Sequence, residues 1–363
     1  MLLLIAVANV VWWFPSTTIQ WTVVDQLWVV ARTMLVDQRA YPLFALLLGF
    51  GMTVLSRRRY DRERARGIPS SDAQAHSRRA LRRRGLWLAI FGALHAVVFS
   101  GDILGAYGVA MMLFAGVVAL GRRTVLMWVG LASAVFSVAM LSLNAVVAGL
   151  RSPEAGEESP VHLGLVSQLA MDVAYWMVNI PVTLMSSLVV AMLCWGAAVG
   201  HTTVLTQPAV HRSTYWRCVW LGVVGVLLGL PYGLYAAGFW QVTVETAAWL
   251  FLVQTVSGAM VALGWCGVIA LCIARRGSSV QRPWTQAVEQ LGQRSLSGYL
   301  GQTVVFWATM MLTTTLWPQW TPTVVVAGGI ALMTWLVTVI AAKASAGTIV
   351  DRPAERALRR LVG

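Results

Sequence analysis

Residues 85–120 read GLWLAIFGALHAVVFSGDILGAYGVAMMLFAGVVAL, two apolar runs separated only by Ser100-Gly101-Asp102. Neither run alternates in polarity, so neither reads as a barrel strand. A helix needs about 20 apolar residues to cross hydrocarbon, and each run approaches that length. The stretch therefore reads as a tight helical hairpin in a membrane. The rest of the chain repeats the pattern. Apolar segments run over 2–15, 40–56, 85–100, 103–120, 125–148, 176–200, 218–240, 247–273, 297–316 and 323–342.

Composition excludes the other classes. Hydrophobic residues make up 58% of the 363 and charged residues only 11%, against about 45–50% and about 25% in soluble domains. Too little charge remains to coat a soluble globule, and too much apolar mass is present for disorder. Four cysteines in this length are too sparse for a disulfide scaffold. The class that survives is all-α: a polytopic bundle of about ten transmembrane helices.

Basic residues set the direction. Eleven arginines lie between Arg57 and Arg84, which makes that loop cytoplasmic. Alternation then puts 24 of the 27 Lys and Arg on the cytoplasmic side, leaving Arg32, Arg39 and Arg151 outside. Both termini are expected in the cytoplasm, 57–84 as an arginine-rich cytoplasmic loop, 150–175 as an external loop and 343–363 as a cytoplasmic tail. The net charge of +13 then reflects anionic headgroups rather than nucleic acid. Tryptophans such as Trp12, Trp13, Trp317 and Trp320 fall near span ends, where indole sits well. Residues 26–36 suit an amphipathic helix on the outer surface.

Polar groups inside hydrocarbon are costly and mark candidate sites. His95 lies in the outer half of its span, and Asp102 precedes the next one. The turn keeps them at one end of the bundle, about two helical turns apart at about 5.4 Å each. A carboxylate that orients an imidazole makes it a usable general base. The alternative is structural, with Asp102 as a helix N-cap and His95 bonded to a neighbouring helix. A second cluster, Gln293-Arg294-Ser295-Leu296-Ser297-Gly298-Tyr299-Leu300-Gly301-Gln302, opens the ninth span. Arg294 at a helix start suggests an anion there, and the helix N-terminus with Ser295 and Ser297 favours one. A phosphate-bearing cofactor or a lipid headgroup fits; so does plain capping. Asn9 and Asn179 are weaker candidates. Arg39 either pairs with Asp37 or holds an anionic substrate group. Cys194, Cys218, Cys266 and Cys272 read as inert thiols, Gly225 and Gly229 as a close-packing pair, and no metal-ligand spacing appears.

These residues together resemble the YeiB-like family of bacterial membrane proteins, the domain of unknown function numbered 418. The similar segments are Tyr41-Pro42-Leu43-Phe44 through Gly51, Arg84 through His95, Gly101-Asp102-Ile103-Leu104 through Tyr107, Gly292-Gln293-Arg294-Ser295-Leu296 with Tyr299, Leu300 and Gln302, and Arg352-Pro353-Ala354-Glu355. The resemblance implies a distant relation to transmembrane acyltransferases, and a location in the bacterial inner membrane. That relation implies acyl transfer from a cytoplasmic acyl-CoA-type donor, with no tightly bound cofactor, to a lipid or glycan acceptor outside. His95, Asp102 and Asn9 would be catalytic. Arg39, Tyr107, Tyr299 and Gln302 would bind substrate, and Arg294, Ser295 and Ser297 the donor's phosphates. The family places an acidic–arginine–glycine element before its first helix, whereas Leu2–Phe14 is only 13 residues; either the first helix is partial or the start lies upstream. Gly298 stands where the family carries asparagine. The competing readings are an exporter of a small amphipathic compound and a membrane protein without chemistry.

Overall fold

The computed structural model describes residues 1–15, 21–150, 165–276, 283–348 and 351–362. Among them are fourteen helices. They are α1 (Leu2–Trp13), α2 (Val23–Leu35), α3 (Ala40–Ala65), α4 (Ser70–Ala96), α5 (Leu104–Leu120), α6 (Arg123–Leu150) and α7 (Leu165–Ser186). There follow α8 (Val189–Val199), α9 (Arg212–Ala236), α10 (Val244–Arg276), α11 (Pro283–Gly292), α12 (Ser295–Leu316), α13 (Val324–Ala344) and α14 (Pro353–Val362).

Six helical stretches are long and apolar enough to cross a membrane: Val23–Ala65, Arg123–Leu150, Leu169–Ser186, Arg212–Ala236, Val244–Arg275 and Val324–Ala344. Leu2–Trp13, Leu104–Leu120 and Val189–Val199 are shorter apolar helices. Large apolar side chains point outward along these and along α4 and α12, including Leu94, Trp128 and Val304, and Leu150 is 80% exposed. A water-soluble monomer does not display apolar surface on this scale. The chain is a multi-pass membrane protein.

Three segments differ from expectation. Residues 57–84 form no open loop: α3 runs on to Ala65 and α4 begins at Ser70. Arginine is a good helix former, and buried Glu63 gathers Arg59, Arg66 and His76 around one carboxylate. Ser77 Oγ donates to Ser56 O at 3.1 Å across the hairpin. Gly67, at φ 82°, supplies the left-handed turn residue. Within 150–175, residues 151–164 lie outside those described, while 165–175 already belong to α7. The span expected over 176–200 is broken in two. Leu188 takes φ 57°, and Ser186 and Ser187 bond back to Val182 O and Thr183 O, so the axis resets before α8. The tail carries the amphipathic α14. The segment expected to form a surface helix does form α2, started by a reciprocal Thr22–Asp25 capping box.

Small residues bring the site helices together. A Cβ at Gly92 of α4 would lie 2.7 Å from Asp102 Oδ2 and closer still to the Gly105 nitrogen of α5. Only glycine permits that approach. Gly225 and Gly229 of α9 likewise face α10, at Ser257 and Gln254.

Candidate active site

Helix α4 ends one residue after His95, and the chain folds back through 97–103 into α5. The reversal does more than keep two groups at one end. His95 Nδ1 lies 2.8 Å from Asp102 Oδ1, so the expected two-turn separation is replaced by direct contact. Asp102 Oδ2 accepts from Gly105 N in the first turn of α5 at 3.0 Å, from one residue before the N-cap position, which is Ile103. Trp176 Nε1 of α7 donates to the same oxygen at 3.2 Å. The Tyr299 hydroxyl of α12 donates to Oδ1 at 3.3 Å. On the far side of the ring, His95 Nε2 lies 2.8 Å from Thr303 Oγ1. Phe99 and Tyr299 meet the imidazole edge-on, with centroids 5.6 and 5.1 Å away. His95 is 8% exposed and Asp102 2%.

An ionised carboxylate only accepts, so a proton on Nδ1 faces it. In the neutral ring Nε2 is then the acceptor and the Thr303 hydroxyl donates to it; in the imidazolium Nε2 donates to Thr303 instead. A carboxylate on one ring nitrogen and a hydroxyl on the other is the arrangement by which an imidazole activates an oxygen nucleophile.

A cavity of about 820 Å³ adjoins the network. It is lined along α3 from Ala40 to Arg58, with walls such as Leu48, Leu55, Leu88, Met111 and Trp335. Asn9, Tyr41, Tyr107 and Tyr299 line it near the network; Arg58, Arg84, Ser295 and Glu355 line it toward the arginine-rich end. Tyr299 belongs to both structures: its hydroxyl holds Asp102 and its side chain forms cavity wall. His95 and Asp102 therefore stand one side chain behind that wall. Tyr107, stacked on Phe44 at 4.5 Å, donates to Tyr41 O at 2.9 Å.

Other expected site residues are engaged elsewhere. The Arg39 side chain, on a residue with 0% exposure, donates to Met34 O, Asp37 O, Gln254 O, Gln254 Oε1 and Ser257 Oγ. It ties the α2–α3 turn to α10 and is not among the residues lining the cavity; the Asp37 carboxylate pairs with Arg32, at 3.0 Å. Gln302 Nε2 donates to Leu2 O at 3.1 Å, joining α12 to α1. Arg294 does meet an anion, but it is Asp351, at 2.6 Å. The α12 N-terminus also finds one within the chain: Glu355 Oε1 accepts from Leu296 N and Ser297 N at 2.9 and 3.0 Å, and Ser297 Oγ donates to Glu355 Oε2. Arg294 and Ser297, expected to meet a phosphate, are each bonded to an acidic residue of the tail, while Ser295 lines the cavity. Burial alone would raise the Asp351 carboxyl. The hydrogen bond and charge of Arg294, with the charge of Arg352, outweigh burial and hold it below its ordinary value.

Sequence reasoning missed Thr303, Trp176, Arg58, Arg84 and Glu355 as parts of the site. Thr303 carried a usable signal, being four residues after Tyr299 and so on the same helix face. Trp176 carried none.

Residues 199–363 match the model of a family described as Protein of unknown function (DUF418). No curated protein and no solved structure matches the chain.

Proposed function

With the DUF418 match over its C-terminal part as premise, we propose that this chain is a membrane-embedded acyltransferase. In this reading ten segments cross the inner membrane: α1, α3, α4, α5, α6, the α7–α8 pair, α9, α10, α12 and α13. Both termini and the arginine-rich ends of α3 and α4 face the cytoplasm. A cytoplasmic acyl-CoA-type donor supplies the acyl group, and a lipid or glycan hydroxyl outside accepts it.

The observation that carries the reading is His95 itself. Its ring has a buried carboxylate at 2.8 Å on Nδ1 and a hydroxyl at 2.8 Å on Nε2, beside a long apolar cavity. The acceptor hydroxyl takes the place that Thr303 Oγ1 marks. Its oxygen attacks the thioester carbon, a C–O bond forms and the C–S bond breaks. The hydroxyl proton passes to Nε2 and then to the departing thiolate. Asp102 stabilises the imidazolium between those transfers. Such acid–base work is worth about 10²–10⁴ in rate. The reading requires the Tyr299 side chain to turn away from between ring and cavity.

The test is purified protein in nanodiscs, labelled long-chain acyl-CoA and a lipid or glycan extract. Label is expected in the acceptor fraction and should fall at least 100-fold in His95→Gln. Absence of transfer, or transfer indifferent to that substitution, defeats the proposal. One observation favours export of an amphipathic compound as second reading: the break at Leu188, since discontinuous spans recur in transporters. Substrate accumulation in proteoliposomes under an imposed gradient, unaffected by His95→Gln, would select it.

A further inference from the structure

The arginine-rich end of the cavity is walled in part by a helix that none of the spans supplies. Glu355 and Leu358 of α14 belong to the lining there, beside Arg84 and Ser295. Leu358 is 1% exposed and shares an apolar core with Leu88 and Leu296. Glu355 accepts from Leu296 N, Ser297 N and Ser297 Oγ at the start of α12, and Ala354 N donates to Ser297 Oγ at 3.1 Å. Just before the helix, Asp351 and Arg352 bond Arg294 and Gln293 at 2.6 and 2.7 Å. Helix α14 packs on α4 and α12 and so lies over this end, clamped along one side to the first turn of α12.

That attachment is shallow. Among the described residues of α14 only Leu358 is fully buried, and Arg359 and Arg360 are exposed. A segment with few buried apolar contacts opens locally at far less cost than global unfolding. Its polar bonds exchange for water when it lifts, so each adds little net stability. Charge works against closure as well: Arg359 lies near Arg84, a like charge, while Glu355 is the nearby countercharge. The entry to the helix is strained. Arg352 sits at φ 54°, a left-handed conformation that a non-glycine residue keeps only while its surroundings hold it. One leucine and one carboxylate therefore keep α14 in place against a like-charge contact and a strained hinge.

We infer that α14 is an autoinhibitory strap: seated by Glu355 and Leu358 it shuts the cytoplasmic end of the cavity, and it hinges at Arg352 to open it. The inference rests on the acyl-transfer reading for what passes through, a donor arriving from the cytoplasm, whereas the motion itself is measurable without turnover. In the closed state the Glu355 carboxylate satisfies the α12 N-terminus, so closing leaves no orphaned N–H groups there. In the open state water takes over those groups, and Ser295 and Arg84 face the cytoplasm.

The test is the rate at which a charged, membrane-impermeant maleimide modifies Ser295→Cys in the full chain in nanodiscs, read site by site by peptide mass spectrometry. Modification is expected to be slow with native α14 and faster by about 10-fold or more once Leu358→Ala is added, a factor equivalent to about 1.4 kcal/mol. Adding Glu355→Ala as well should speed it further. Native Cys194, at 0% exposure, reports on the bundle as a whole and should stay unmodified throughout. Unchanged modification of Ser295→Cys overturns the strap. So does acceleration at Ser295→Cys and Cys194 together, which would make α14 part of the cooperative fold. A second variant tests passage. Ala354→Cys with Ser297→Cys, placed where those residues already meet, should stop transfer when oxidised and restore it when reduced. Transfer undiminished in the oxidised pair overturns the strap. Release seen at Ser295→Cys with no transfer by any form defeats the acyl-transfer reading and leaves the strap standing.

Discussion

Replacing Asp102 with asparagine separates structure from chemistry at the dyad. The carboxylate receives four donors, two per oxygen: His95 and Tyr299 on Oδ1, Gly105 and Trp176 on Oδ2. Asparagine can keep its oxygen on Gly105 and Trp176 and turn its amide toward His95. The ring then accepts at Nδ1, moves its proton to Nε2 and donates to Thr303 instead of accepting from it. Every group stays bonded except the Tyr299 hydroxyl, so the structural cost is about one hydrogen bond, or about 1 kcal/mol. Alanine removes all four acceptor contacts. At about 0.6 kcal/mol for an average intramembrane hydrogen bond the loss is about 2.4 kcal/mol, and it grows toward the higher soluble-protein values where donors stay unpaired. Chemistry orders the two variants differently. With its proton on Nε2 the imidazole no longer removes one there, and the same inversion in serine hydrolases costs about 10⁴ in rate. Thermal unfolding in nanodiscs should therefore place Asp102→Asn near the parent and Asp102→Ala well below it, with acyl transfer lost in both. Nitrogen-15 histidine spectra, with His95 assigned by its absence in His95→Gln, should show the proton moving from Nδ1 to Nε2 in the asparagine variant. Transfer retained in Asp102→Asn, or an unmoved proton, refutes the role given to this pair.

Arg39→Lys exchanges a five-donor fork for a point charge and strands at least two acceptors on α2 and α10. A loss of about 3 kcal/mol is expected at about 1.5 kcal/mol per charge-assisted bond, read by denaturant unfolding, with acetyl-CoA affinity unchanged. Gly92→Ala drives a methyl into Gly105 and Asp102 and should cost about 1–3 kcal/mol together with transfer activity. Its control, Gly51→Ala, meets open space and should be neutral or gain about 0.5–1 kcal/mol from reduced chain entropy. Asp351 has a folded pKa below its ordinary value. Its contribution is thus complete above the unfolded value and lost as pH falls through the folded one. Hydrogen-exchange protection over 353–362, corrected for the intrinsic pH dependence of amide exchange, should stay flat from pH 7 to 5 and fall below about pH 4; Asp351→Asn should abolish that dependence.

The helical pattern was legible because a membrane imposes one rule per span. Each apolar run found a helix except 176–200, which is split between α7 and α8, and the Ser100-Gly101-Asp102 turn made the α4–α5 hairpin readable. Where the reading failed, the missing information was long-range. Sequence shows that a buried charge needs a partner without showing which segment provides it. Arg294 finds Asp351, 57 residues on, and Arg39 finds Gln254, 215 residues on. The α12 N-terminus attracted an anion as helix electrostatics require, but the anion came from α14. Residues 57–84 misled because arginine density resembles a solvated loop, although arginine also favours helix and here keeps two helix ends in register through Glu63 and Ser77.

The structural and catalytic readings of Asp102 both hold at the level of geometry: it bonds the first turn of α5, and His95 bonds a neighbouring helix through Thr303. What separates them is charge. A neutral serine or asparagine caps a helix as well as aspartate does. Serine would leave Trp176 and Tyr299 without their acceptor, but asparagine would lose only one of those bonds. An ionised carboxylate in hydrocarbon carries a penalty of about 2.5–3.5 kcal/mol on insertion scales. Capping and packing therefore explain a polar residue at position 102 without explaining a negative one. The carboxylate does one thing that asparagine does not while its single oxygen stays on Gly105 and Trp176: it presents a second acceptor that holds the ring proton on Nδ1, leaving the Nε2 lone pair of the neutral ring toward Thr303. If that lone pair is the reason for the charge, Asp102→Asn will be tolerated by the fold and rejected by the reaction. Should the asparagine variant instead unfold as readily as the alanine one, the carboxylate is there to hold four helices together, and the general base must be sought elsewhere along the cavity.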